Sequence, residues 1–161
     1  MSAGTMDRLW SDYQEHHRTE GNRACHMIGI PLIIAGLLGM LAWPVARVGG
    51  WPLEISLLLA VVFGAVEVAL DARLGALMFA VSLALYLGAR LLGWKISLGL
   101  FVLGWVFQFI GHGAYEKRAP AFYKNLAHLV VGPLWVLNHV VHLRQDESAA
   151  EAPPPGRAAG A

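Results

Sequence analysis

Four long apolar segments, separated by short breaks, constrain the fold of this chain more than any other feature. They cover residues 27–43, 53–70, 74–92 and 96–114. Each is close to the length at which an α-helix crosses a hydrocarbon core of roughly 30 Å. Hydrophobic residues make up 57% of the chain and charged residues only 14%, unlike an ordinary soluble domain. The sequence therefore predicts an all-α, polytopic membrane bundle with four spans.

An amphipathic helix is predicted before the first span, over residues 6–19. Apolar and aromatic side chains recur there at helical spacing, at Met6, Trp10, Tyr13 and His17. Tryptophan and tyrosine on the apolar side are typical of a helix that lies at the membrane interface. The sequence thus adds an N-terminal interfacial helix to the bundle.

A fifth apolar segment, residues 126–143, contains Pro133. Proline removes a helical hydrogen bond and clashes with the preceding turn, so this segment is expected to be kinked or re-entrant. We interpret residues 1–143 as one membrane-embedded domain. Residues 144–161 are rich in alanine, proline and glycine without periodicity, which predicts a disordered tail.

Charge and cysteine content exclude several classes of site. The net charge is only +1 and the basic residues are dispersed, so nucleic acid is not an expected partner. The single cysteine, Cys25, excludes an intrachain disulfide framework and any CxxC metal motif. A metal site in this chain must therefore use histidines and carboxylates.

Topology predicts that distant histidines share one membrane face. Four spans are an even number, so the start of the first and the end of the fourth emerge on the same side. Lys and Arg on that side number seven, against three on the other: Arg8, Arg18, Arg23, Arg73, Lys117, Arg118 and Lys124, against Arg47, Arg90 and Lys95. By the positive-inside rule the histidine face is cytoplasmic.

Three histidines are predicted to converge on that face. Gly21-Asn22 is a turn signal, and a turn there lets His17 and His26 face each other. His112 lies at the end of the fourth span, on the same side. Three imidazoles with an optional carboxylate and no thiolate pair suit non-haem Fe(II), Mn or Zn.

A polar line also crosses the end of the fourth apolar segment. Gln108, His112 and Glu116 recur at i, i+4 and i+8, so a helix would stack them along one face. Polar groups in a membrane segment are costly unless they are paired or used. The same spacing is typical of a hydrogen-bonded seam in a non-enzymatic transporter or scaffold, and spacing alone leaves both interpretations open.

The remaining histidines are expected to differ in role. His16 projects to the polar side of its helix, and His128 and His142 lie near the ends of the fifth segment, where they would face water. His139 lies in mid-segment, where burying a polar side chain is costly unless it is paired or functional. It is therefore the best candidate among the histidines of that segment.

Two motifs carry a family resemblance. They read Tyr13-xxx-His17-xxxx-Asn22-xxx-His26-xx-Gly29-x-Pro31 and Gln108-xx-Gly111-His112-xxx-Glu116-xxx-Pro120-Ala121. They resemble motifs of the fungal and bacterial 2-hydroxy fatty acid dioxygenases, which are proteins of the endoplasmic reticulum or the bacterial inner membrane. The resemblance covers roughly residues 6–143.

This resemblance implies an Fe(II)-dependent enzyme that uses O₂ to shorten 2-hydroxy fatty acids by one carbon. It implies iron binding and catalysis by His17, His26 and His112. It also implies an integral membrane protein, expected in a bacterial inner membrane with its site facing the cytoplasm. The HxxHH boxes of membrane di-iron hydroxylases do not occur in the sequence.

The remaining site residues rest on the same resemblance, except that Glu67 is considered because it is a carboxylate within a span and Lys117 because it is a cation that could guide an acid head group. Glu116 is taken as a further catalytic residue. Six residues after Pro133, where the family usually has Glu, this chain has His139, so the fourth iron ligand is His139, Glu116 or Glu67. The residues expected to bind substrate are Tyr13, Asn22, Gln108 and Lys117.

Overall fold

Six α-helices and one β-hairpin account for most of the chain in the computed structural model, which describes residues 3–123 and 125–144. The elements in chain order are α1 (Ala3–Glu15), α2 (Glu20–Met40), β1 (Pro44–Val48), β2 (Trp51–Glu54), α3 (Ile55–Leu70), α4 (Ala72–Ala89), α5 (Gly93–Ile110) and α6 (His128–Val141). A π-helical segment, Gly111–Glu116, continues α5 directly, and a 3-10 turn follows at Ala121–Tyr123. The chain is thus mostly helical, as predicted.

Three of the described helices are long and apolar enough to cross a membrane. They are α2, α4, and α5 together with its π-helical extension. The shorter apolar helices α3 and α6 have 16 and 14 residues. The structure therefore does not confirm four spans. The fifth segment is one helix that continues through Pro133, so the proline does not break it.

The hairpin explains why the second predicted span is short. Strands β1 and β2 pair antiparallel, with Val48 opposite Trp51, and β2 includes the residues just before Ile55. The turn residues Gly49 and Gly50 have φ of 56° and 84°. Positive φ at both turn positions is what a tight hairpin turn requires, and glycine adopts it without strain. The sequence prediction treated this stretch only as a break between spans.

Helix α1 buries its apolar stripe within the protein. Met6, Trp10 and Tyr13 are at most 4% exposed. They form one core with residues of α4 and α6, namely Leu74, Met78, Val131, Leu134, Trp135 and Val136. The predicted stripe is confirmed, and it packs against the helical bundle.

The chain turns between α1 and α2 earlier than predicted. Residues 16–19 are non-helical, and α2 already contains Gly21 and Asn22. Thr19 is the N-cap of α2, and its side chain accepts a hydrogen bond from the backbone N–H of Asn22. An N-cap threonine satisfies one of the free N–H groups of the first turn, which fixes the start of the helix at this point.

Glycines bring α2 and α5 into backbone contact. A Cβ added at Gly36 would lie 2.5 Å from the backbone nitrogen of Phe101, and one at Gly104 would lie 2.7 Å from the carbonyl oxygen of Gly29. Small residues at such crossings allow close helix packing in lipid. This contact holds His26 on α2 at a fixed position relative to the end of α5.

The outer faces of α3 and α5 are covered by exposed apolar side chains. They include Val61, Val62, Phe63, Val102, Leu103, Val106 and Phe109, each at least 40% exposed. An apolar surface that follows whole helices is typical of contact with lipid rather than water. Together with the three long apolar helices, it indicates a membrane protein.

Candidate metal centre

Three buried histidines meet at one end of the bundle. His17 lies in the break after α1, His26 in the second turn of α2, and His112 in the π-helical segment after α5. Their ring centroids are 4.4 to 5.0 Å apart, and the side chains are at most 3% exposed. One nitrogen from each ring lies within 4.8 Å of the other two. The predicted convergence is therefore present.

Backbone carbonyls orient two of the rings. Nδ1 of His17 lies 2.6 Å from the carbonyl oxygen of Tyr13, and Nδ1 of His26 lies 2.9 Å from that of Asn22. A carbonyl oxygen can only accept, so each Nδ1 carries the hydrogen and donates it. Each neutral ring is then left with its lone pair on Nε2. This is the tautomer in which a histidine ligates a metal through Nε2.

The two Nε2 atoms suit a cation between them. Nε2 of His17 and Nε2 of His26 are 3.0 Å apart. Two bare lone pairs at this distance repel each other unless a proton or metal ion lies near both. Burial, reinforced by the neighbouring His26 ring, lowers the pKa of His17 to about 2, so this ring holds no extra proton near neutral pH.

A metal ion fits the same spacing. Two nitrogens that each lie about 2.1 Å from one ion, at a right angle, are about 3 Å apart. Among the His, Cys, Asp and Glu side chains of the described residues, these three histidines form the one group close enough to share an ion. The spacing of His17 and His26 therefore fits two ligands of one metal ion, and His112 is close enough to supply a third after a small approach of its ring.

Aromatic rings support the trio from the side of α1 and α6. The ring of Tyr13 stacks on His17 with centroids 3.9 Å apart and an angle of 12°. The ring of Trp135 lies beside both Tyr13 and His17, with ring centroids 5.3 and 5.7 Å apart. Burial also raises the pKa of Tyr13, which keeps its hydroxyl neutral. The stacked rings leave His17 little freedom to rotate.

Glu116 connects the π-helical segment to the start of α2. Its Oε1 accepts hydrogen bonds from the backbone N–H of Thr19 at 2.8 Å and from Asn22 Nδ2 at 3.3 Å. A π-helical turn is wider than an α-helical one, and such turns are frequent at functional sites. Glu116 thus braces the segments that carry His112 and His26, and the structure does not place it among the three clustered histidines.

Removing this brace should loosen the metal site without removing a ligand. We expect Glu116→Ala to weaken metal affinity about 10- to 100-fold, as loss of a partner that orients a ligand does. Glu116→Gln should retain most of the affinity, because its amide oxygen can still accept from Thr19. Metal affinity can be measured by competition with a chelator, with exposed Glu15→Ala as the control. Complete loss of metal in Glu116→Gln would instead identify the carboxylate as a ligand.

An apolar cavity opens beside the histidines. It has a free volume of about 90 Å³, and the three histidines, Tyr13, Gln108 and His128 line it together with Ile30, Ile33, Ile34, Trp105, Phe122, Leu129 and Pro133. A second apolar cavity of about 200 Å³ between α2, α4 and α6 shares Ile30, Ile34 and Pro133 with the first. The polar end of a ligand could lie at the histidines and an apolar tail could extend past these three residues.

The other predicted site residues lie apart from the trio. His139 was predicted as a metal ligand, but its ring packs on Trp135 at 3.9 Å and lines a separate polar cavity with Arg18 and Arg23. Helix α6 presents Trp135 to His17, and His139 lies one turn further along the helix. Glu67 is buried on α3 and is not part of the cluster.

Two of the predicted substrate-binding residues line the cavity, and two do not. Tyr13 and Gln108 are in its wall. Asn22 is fully buried, but its Nδ2 is used to hold the His16 carbonyl and Glu116. Lys117 is exposed beyond the end of the π-helical segment.

His128 is a site residue that the sequence prediction missed. It was expected to face water but is 5% exposed, and its Nε2 lies 2.8 Å from Asp12 Oδ2. The hydrogen bond from His128 lowers the pKa of Asp12, which is therefore ionised at neutral pH. These residues are 116 positions apart, and no local spacing in the sequence indicates that they pair.

Comparisons with known proteins show the family of this chain. The family model described as 2-hydroxy-palmitic acid dioxygenase Mpo1-like matches residues 3–143. The chain is 31% identical over 127 residues to the 2-hydroxy-palmitic acid dioxygenase MPO1 of Saccharomyces cerevisiae, covering 78% of this chain and 73% of the yeast protein. No solved structure matches the chain significantly. All three clustered histidines lie inside the matched region, and the chain belongs to the Mpo1-like family.

Proposed function

We propose that this protein is an Fe(II)-dependent dioxygenase that uses O₂ to shorten 2-hydroxy fatty acids by one carbon. The observation that supports it most is the meeting of three buried imidazoles at the end of an apolar cavity. The yeast relative is named for dioxygenation of 2-hydroxy-palmitic acid, an amphipathic molecule of the kind that such a cavity suits.

His17, His26 and His112 would hold the metal. Three neutral imidazoles with no thiolate suit Fe(II), and three protein ligands leave other positions free for substrate and O₂. Bound iron(II) would supply the redox chemistry that lets O₂ react with an organic acid. The protein contributes fixed ring tautomers, through the carbonyls of Tyr13 and Asn22, and a site closed to bulk water.

The two apolar cavities account for a substrate with a long tail. About 90 Å³ beside the histidines is room for a polar head group, and is small compared with the roughly 300 to 1,000 Å³ of typical ligand pockets. The tail would pass Ile30, Ile34 and Pro133 into the second cavity, which is lined mostly by α2, α4 and α6. Apolar walls along this path exclude water from the reacting end of the molecule.

The test is metal analysis followed by turnover. Protein purified without oxygen should contain one iron per chain, and on addition of O₂ it should convert 2-hydroxyhexadecanoic acid into pentadecanoic acid. Hexadecanoic acid is the matched control, and it should not be shortened. Two irons per chain would favour a di-iron enzyme. Protein with no iron after anaerobic reconstitution, and no oxygen uptake, would favour a transporter or scaffold.

We propose that the histidine end faces the cytoplasm and that α3 crosses the bilayer with α2, α4 and α5. Helix α3 rises only about 24 Å, and the adjoining hairpin would supply the remaining depth. Exposed Trp43, Trp51 and Trp94 lie at the opposite end from the histidines, as an interfacial belt would. Reporters fused before residue 1 and after Arg118 should both be cytoplasmic, and reporters on opposite sides would contradict this topology. The yeast relative gives no support to a bacterial inner membrane in particular.

A further inference from the structure

Two buried polar atoms in the cavity wall have no hydrogen-bond partner among the described residues. They are Nε2 of Gln108 and Nδ1 of His128. Their side chains are only 6% and 5% exposed. Buried polar atoms in native proteins are nearly always hydrogen-bonded, so an unpaired one in a cavity wall indicates a partner that binds there. Two such atoms in one apolar cavity indicate a ligand with at least two polar groups.

Their chemistry differs. The Gln108 amide nitrogen can only donate. His128 gives its Nε2 hydrogen to Asp12, because a carboxylate can only accept. With that hydrogen on Nε2, an imidazole in its neutral form keeps its lone pair on Nδ1, which then accepts. The cavity thus offers one donor and one acceptor in addition to the three clustered histidines.

We propose that His128 Nδ1 accepts a hydrogen bond from the 2-hydroxyl of the substrate and that Gln108 Nε2 donates one to its carboxylate. This inference rests on the proposed function. A 2-hydroxy acid carries a hydroxyl donor and a carboxylate acceptor on neighbouring carbons, which matches the two unpaired atoms. A fatty acid without the hydroxyl leaves Nδ1 buried and unpaired, and sites built to hydrogen-bond a hydroxyl discriminate against analogues that lack it.

Asp12 is a positioning residue for this contact. It is partly exposed and does not line the cavity, but its Oδ2 also lies 3.4 Å from Asn125 Nδ2. Asn125 in turn accepts from the backbone N–H of Ala127, just before α6 begins. The ring of Tyr13 contacts His128 edge-on at 5.4 Å. These contacts fix which nitrogen of His128 holds the hydrogen and which remains available to a ligand.

A pair of substitutions separates the acceptor from the ring. The amide of Gln reaches the position of Nε2 and can still donate to Asp12, but it offers nothing at Nδ1. The amide oxygen of Asn takes the position of Nδ1 and keeps an acceptor there. Both replacements lose the imidazole and only Gln can still donate to Asp12, so a preference that Asn keeps and Gln loses reports on the acceptor at Nδ1 and not on packing or on the contact with Asp12.

The experiment measures binding to the full-length protein in detergent under anaerobic conditions, so that bound acids are not consumed. The probes are 2-hydroxyhexadecanoic acid and hexadecanoic acid, and the readout is the ratio of their dissociation constants. His128→Gln should reduce the preference for the hydroxylated acid about 3- to 10-fold, the effect of one hydrogen bond. His128→Asn should retain it. Gln108→Leu should weaken binding of both acids alike and leave the ratio unchanged.

The controls keep this result separate from the proposed function. His142→Asn changes an exposed histidine with φ of 52°, which Asn adopts readily, and should leave the ratio unchanged. Iron content is measured in every variant. An unchanged ratio in His128→Gln, or equal loss in the Gln and Asn variants, overturns the inference even if the wild type turns over the acid. A wild type that prefers the hydroxylated acid but shows no turnover with iron supports the recognition and contradicts the dioxygenase.

Discussion

His112→Ala should remove bound iron and one-carbon shortening together. His112 is 3% exposed and supplies one of three ring nitrogens that lie within 4.8 Å of each other. A site reduced to two imidazoles should lose more than the roughly 100-fold in affinity that follows from losing an outer hydrogen-bond partner of a ligand. The test measures iron per chain and formation of pentadecanoic acid. Both are measured on variant protein whose helicity is unchanged.

His142→Asn is the control, because this histidine is exposed outside the cluster and Asn adopts its φ of 52° readily. A surface substitution of this kind usually changes stability by no more than about 0.5 kcal/mol, and iron and activity should both persist. His128 is unsuitable as a control, since it is buried in the cavity wall. A folded His112→Ala protein with full iron and full turnover would contradict the metal centre, and would favour a polar seam between helices.

Gly36→Ala should destabilise the protein by about 1 to 3 kcal/mol, the usual effect of overpacking a core. The new Cβ would lie 2.5 Å from the backbone nitrogen of Phe101 and 2.7 Å from the carbonyl oxygen of Ser97. Backbone atoms cannot rotate away as a side chain can, so α2 and α5 must separate. The separation should also weaken metal binding, because α2 carries His26 and α5 leads directly to His112.

Gly99→Ala on α5 is the matched control. A Cβ there meets nothing within 4 Å, and alanine is favoured over glycine in a helix by about 0.8 to 1 kcal/mol. The same chemical change should therefore be neutral or stabilising at residue 99 and destabilising at residue 36. Unfolding in detergent, followed by circular dichroism, compares the two. Equal stability of both variants would show that the close contact between α2 and α5 is not required.

The sequence was sufficient to predict the helices and the three clustered histidines. Apolar length marks a membrane helix without any knowledge of its neighbours. The prediction that His17 and His26 converge required only a break between two helices. It therefore holds although the break lies at residues 16–19 and not at Gly21-Asn22. The position of His112 was predicted by counting the apolar segments between it and His26. Although α3 is short, the start of the first segment and the end of the fourth lie at the same end of the bundle.

The parts that the sequence could not predict depend on contacts between distant segments. The pairing of Asp12 with His128 joins residues 116 positions apart. His139 lies outside the histidine cluster, because its position in the apolar segment does not reveal what the helix faces, and here Trp135 occupies the position next to His17. The π-helical turn lies between residues that regular α-helical spacing had placed on one face, and Glu116 extends to Thr19.

The carbonyl oxygens that orient His17 and His26 give this candidate metal centre a form of mutational robustness. Every amino acid supplies a carbonyl, so no substitution at Tyr13 or Asn22 deletes the acceptor, whatever other role their side chains have. Alignments of related sequences therefore do not reveal these carbonyl contacts, which help to hold the rings in place. Substitutions there can remove the stacked ring of Tyr13 or the amide of Asn22, but loss of the two carbonyl contacts would require a change of the backbone itself.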